Sequence, residues 1–132
     1  MTVNQTWTTF YRRLAYLYYA VAKADEKVVP EEIAKLREVV KKDWLSLETT
    51  EDAFGTDAAY QIEIAFDWLL EQSPAAEKAL EKFENFINDH PDFLDARLKK
   101  RILRTSNAIA EAYHGKNEDE VQMLEKIRQM LA

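Results

Sequence analysis

The sequence contains no cysteine, two histidines, two glycines and three prolines. Without thiols there is no disulfide framework, no thiolate zinc site and no cysteine nucleophile. Two imidazoles are too few for a multi-histidine metal centre within one chain. Scarce Gly and Pro beside abundant Ala, Leu, Glu and Lys favour helices joined by short turns. Positive charge is also in deficit: the net charge of −6 disfavours phosphate backbones and anionic membrane surfaces, so no nucleic-acid partner is expected. Cations or basic partner surfaces suit such a chain better. Nothing approaches the roughly 18 uninterrupted apolar residues of a bilayer span, because LAYLYYAVAKAD soon becomes charged. The start, MTVNQTWTTFYRR, lacks the basic-then-apolar order of a secretory signal, and a cytoplasmic location is expected. Gly-rich phosphate loops and a G-x-S-x-G elbow are absent too, which removes the common nucleotide-binding and serine-hydrolase routes.

What is present is helical periodicity. Trp7, Phe10, Leu14, Leu17 and Val21 stripe a first helix from about Gln5 to about Asp25, widened by Tyr11, Tyr18 and Ala22. Pro30 suits the first position of a second helix, where its missing N–H costs nothing, and Ile33, Leu36, Val40, Trp44 and Leu47 form its inward row. LETTEDAFGT reads as a loop. Asp57 can cap a third helix with two apolar rows, Tyr60, Ile64, Trp68 and Ile62, Phe66, Leu69, a breadth expected of a central helix with Trp68 in the core. Ser73-Pro74 reads as the cap and first residue of a fourth helix, with Ala76, Leu80, Phe83 and Ile87 inward and His90-Pro91 as its stop. A fifth, from about Asp92 to about His114, carries Leu94, Leu98, Ile102, Ile109 and Ala112, and Gly115 ends it. Asn117 with Glu120 resembles a capping box ahead of Val121, Leu124, Ile127 and Leu131. The expectation is an all-α, compact single-domain bundle of about six or seven helices over residues 1–132.

Residues 20–39 align without a gap on 108–127: Ala20, Ala22, Ala24, Glu32 and Leu36 fall on Ala108, Ala110, Ala112, Glu120 and Leu124. This suggests a pseudo-repeat of two helical hairpins, about 13–45 and 101–131. The pattern at 22–36, A-K-A-D-E-K-V-V-P-E-E-I-A-K-L, resembles the TerB-like domains of tellurite-resistance proteins and of DnaJ-like cochaperones. Asp25, Val28 and Glu32 fill that family's Asp, branched apolar and Glu positions, and residues 108–124 stand where its looser second copy belongs. Two departures matter: Glu26 replaces the family Gly, and the second copy has Tyr113 or His114 in place of the Asp. The resemblance implies a stress-associated, non-enzymatic interaction module that chelates a weakly bound divalent cation, calcium or magnesium, through Asp25 and Glu32, with Glu31 and Glu120 as further candidates.

Each of these residues also has a purely structural explanation. Glu31, Glu32 and Glu120 lie where a helix dipole favours carboxylates, and Asp25 can end the first helix or bond the free N–H groups of the second. Lys27 beside them would repel a cation. His90 and His114 read as a loop residue and a helix-end donor, and Ser106 as a small helical residue rather than a nucleophile. Off the main stripe of the first helix, Tyr16 and Tyr19 with Arg12 make a candidate contact patch for a protein partner, since aromatic and Arg side chains dominate interface energy. A helical adaptor that has lost the metal site therefore stands beside the cation-binding reading, with a carboxylate-dependent hydrolase third.

Overall fold

The computed structural model describes residues 3–24, 30–50, 58–111 and 118–132; within the helices, the side chains of Glu32, Trp44 and Leu47 are among those outside the description. Asp25, Asp57, Ala112, His114, Gly115 and Asn117 lie outside it altogether. The described residues form six helices and no strand: α1 (Val3–Ala22), α2 (Pro30–Thr50), α3 (Ala58–Gln72), α4 (Ala76–Asp89), α5 (Ala96–Ala110) and α6 (Glu118–Leu131). The bundle expected from composition and periodicity is therefore the observed fold.

Its central helix is α1 and not, as expected, α3. From Leu14 to Ala22 every residue of α1 except Tyr16 is buried. A helix apolar on all sides needs neighbours on all sides, and α1 packs against α3 and α4 extensively and against α5 and α6 as well. It touches α2 only slightly. Pair registers give the directions. Arg12 meets Gln61, Tyr19 meets Phe66 and Lys23 meets Ser73, so α1 and α3 run parallel. Tyr19 meets Pro74, Phe10 meets Phe86 and Trp7 meets Phe93, so α4 runs antiparallel to α1. The aromatic residues Trp7, Phe10, Phe86 and Phe93 close one end of the core, with the Phe10 and Phe93 ring centroids 5.0 Å apart and the His90 ring tilted against Phe86 at 4.6 Å.

Helix ends correct the sequence reading in two places. Ser73 does not cap α4. It has φ 51°, the left-handed region, and its N–H donates to Leu69 O at 2.7 Å, so it ends α3, while α4 starts after an extended Ala75. α5 begins later than expected, where Asp95 Oδ1 accepts from Leu98 N at 2.8 Å as a side-chain N-cap. Within α5, Thr105, Ser106 and Asn107 donate to the carbonyls of Arg101, Ile102 and Leu103, which satisfies three polar side chains inside the helix. Ser106 is fully buried in this role, in keeping with a structural residue. In α6, Leu124, Ile127 and Leu131 point inward as expected, whereas Val121 is exposed and Met123 takes a core position.

Candidate functional site

The third helix exposes one of its two apolar rows. Ile62, Phe66 and Leu69 enter the core, but Tyr60, Ile64 and Trp68 are 57%, 48% and 51% exposed. The core role expected of Trp68 is thus corrected. The cause is geometric: α3 packs against α1 and α2, and at about 100° per residue the Tyr60, Ile64, Trp68 row lies on the opposite side of the helix from the Ile62, Phe66, Leu69 row that enters the core. Asp67 and Glu71 share the exposed ridge, and Asp67 Oδ1 accepts from Arg37 Nη2 of α2 at 2.6 Å on the side away from α1.

Between this row and α1 runs an open groove of about 550 Å³. Its α1 wall is Thr9, Arg12, Arg13 and Tyr16, spaced three, one and three apart and hence on one face of the helix. Ala65 forms a low floor on α3, with Gln61, Ile64 and Trp68 beside it. The side chain of Arg12 is exposed, and its Nε donates to Gln61 Oε1 at 3.4 Å across the groove. The Arg13 guanidinium lies 4.8 Å from the centroid of the Tyr16 ring, a cation–π contact that holds both side chains in place. Among the described residues neither guanidinium pairs with a carboxylate.

The groove is closed beyond Tyr16. Tyr19 Oη donates to Pro74 O at 2.7 Å and Lys23 Nζ to Ser73 Oγ at 3.2 Å, which ties the α3–α4 connection onto the end of α1. Burial raises the pKa of the Tyr19 phenol above its ordinary 10.0, partly offset by the Ser73 hydroxyl. Of the three expected contact residues, Arg12 and Tyr16 therefore line one surface. Tyr19 is 1% exposed and belongs to the core, because the turn at 73–75 covers the part of α1 that carries it. Gln61, Ile64 and Trp68 complete the surface and were not foreseen. The signal available was the acidic pair Asp67 and Glu71 at helical spacing with Tyr60, Ile64 and Trp68, which marks that row as facing water.

Two of the four cation-site candidates fall outside what the structure describes. Asp25 lies outside the described residues, as does the side chain of Glu32. Glu31 is exposed in the first turn of α2, and Glu120 is 4% exposed in the first turn of α6, where the dipole favours a carboxylate. Among the described residues no group of three or more His, Asp or Glu side chains could hold a metal ion, and no helix is long and apolar enough to cross a membrane. No protein-family model, curated protein or solved structure matches this chain.

Proposed function

We propose that this domain is a non-enzymatic protein-interaction module whose contact surface is the α1–α3 groove and the exposed row beside it. The observation that carries the reading is the pairing of exposed Ile64 and Trp68 with Arg12 and Tyr16 along one open groove, with Tyr60 exposed on the same row of α3. Large exposed apolar side chains grouped in a patch mark interaction sites, whereas single ones are ordinary. Aromatic and Arg side chains of this kind supply most of the energy at protein interfaces. The groove lining offers no carboxylate, imidazole or thiol to move a proton at neutral pH, which favours binding over catalysis. The cation binding implied by the TerB-like resemblance rests on Asp25, outside the described residues, and on the side chain of Glu32, which is outside the description, whereas the groove is described throughout.

A photocrosslinking amino acid in place of Trp68, in cells that make the protein, tests it. We expect one discrete adduct, whose protein, once identified and purified, binds the unmodified domain and loses about tenfold or more in affinity to Trp68→Ala. The same probe at exposed Lys82 on α4 should give no such adduct. Equal adducts from both positions, or none from Trp68, refute the reading.

A further inference from the structure

The chemistry of the groove narrows its partner, given the interaction reading above. Its two cations stand on a surface whose overall charge is −6, and no acidic side chain lines the groove to neutralise them. Arg12 lies at the Gln61 end of the groove and Tyr16 one turn further along α1, about 6 Å away at 1.5 Å per residue, with the Arg13 guanidinium between them against the Tyr16 ring. On the parallel α3, Gln61 stands level with Arg12, and Ile64 and Trp68 follow one and two turns on. The groove is thus polarised: cationic at the Gln61 end, and apolar towards Trp68, where the Tyr19–Pro74 bond closes it. An extended peptide laid here would leave backbone N–H and C=O groups over Ala65 and Ile64, with no sheet edge among the described residues to pair them. A helix satisfies its own backbone and fits between two parallel helices as a third ridge.

We infer that the groove binds an acidic amphipathic helix of a partner protein, with apolar side chains against Ile64, Trp68 and Tyr16, and carboxylates one turn away on Arg12 and Arg13. Bidentate guanidinium–carboxylate pairing sets the direction of the bound helix, because reversing it puts the acids over Trp68 and leaves both cations unpaired.

Three synthetic peptides of about 15 residues serve as probes: one with Leu and Phe on a single stripe and Glu one turn beyond, one with Lys in place of each Glu, and one with the stripe scrambled. Fluorescence anisotropy should show saturable binding of the acidic peptide, with the Lys and scrambled peptides weaker by about tenfold or more. Binding should fall by a similar factor between about 0.05 and 0.5 M salt, and in R12E/R13E. Arg12→Ala, at an exposed position, is the milder variant should charge reversal unfold the domain, and it should weaken the acidic peptide selectively. Equal or tighter binding of the Lys peptide overturns the acidic assignment while leaving the groove a contact surface. Saturable binding of no peptide overturns it as well, and the crosslinking at Trp68 then decides the interaction reading separately. Self-association of the domain that Trp68→Ala abolishes would assign the groove to a second copy and likewise overturn the inference.

Discussion

Replacing Tyr19 by Phe removes a single oxygen and tests the closed end of the groove. The ring stays, edge-on to Phe66 with centroids 6.2 Å apart, so packing is preserved while the 2.7 Å bond to Pro74 O is lost. A neutral hydrogen bond of this kind contributes about 0.5–1.5 kcal/mol net. Unfolding entropy of about 2.1 cal/mol/K per residue, over 132 residues, comes to about 0.28 kcal/mol/K, so a 1 kcal/mol loss lowers Tm by about 3–4 °C. The pH dependence adds a second signature. Burial raises the folded-state pKa of Tyr19 above 10.0, so between 10.0 and that higher value the unfolded chain has released a proton that the native protein retains. The contribution is fully present below pH 10 and is lost as pH rises through the folded-state pKa. Urea unfolding of both proteins from pH 7 to 11 should show wild type ahead at neutrality and its lead shrinking above pH 10. Residues common to the two proteins cancel in the difference. A gap that stays constant through pH 11, or no gap at pH 7, would refute the buried, bonded phenol.

Two neighbours on α3 should separate sharply: Phe66→Ala costs about 3–5 kcal/mol through transfer and cavity terms, and Trp68→Ala about 1 kcal/mol, because half the indole is already in water and no enclosed void results. Equal losses in denaturant titrations would contradict the exposure of Trp68. Ser73→Gly should stabilise by about 0.5–1 kcal/mol: relief of a left-handed non-glycine backbone, about 1–2 kcal/mol, exceeds the added entropy of the unfolded chain. A lower Tm would show that the Lys23–Ser73 bond outweighs that strain. Asp95→Ala should cost about 0.5–2 kcal/mol by uncapping α5, and Asp95→Asn far less; identical thermal scans for the two variants would remove the capping role.

Helix number and order were legible because each apolar row repeats at helical spacing and Gly and Pro fall only between rows. Arg12 and Tyr16 were legible as lying off the core because they depart from the stripe of Phe10, Leu14 and Leu17. Periodicity reports that a row is apolar, not how many neighbours the helix has. For that reason Trp68 and Ile64 read as core, and Tyr19, covered by the distant Pro74, read as surface. Ser73-Pro74 misled for a related cause: a small hydroxyl residue before Pro fits a helix start, yet a left-handed φ at the end of the preceding helix satisfies the same local sequence. The polar triplet Thr105–Asn107 could be placed inside a helix because each side chain bonds a carbonyl one turn back in its own helix.

The position of α1 bears on how the chain is made. Its nearly all-round apolar surface is synthesised before any of the helices that cover it, and its antiparallel neighbour α4 is complete only at Asp89. At about 5–20 residues per second, translation from Ala22 to Asp89 takes about 3–13 s, during which Phe10, Tyr11, Leu14, Leu17 and Tyr18 lack the packing that buries them in the finished domain. Any factor that shields emerging apolar segments would have its first large target at this helix, and a slower codon stretch before α4 would lengthen that exposure without altering a single contact of the native protein.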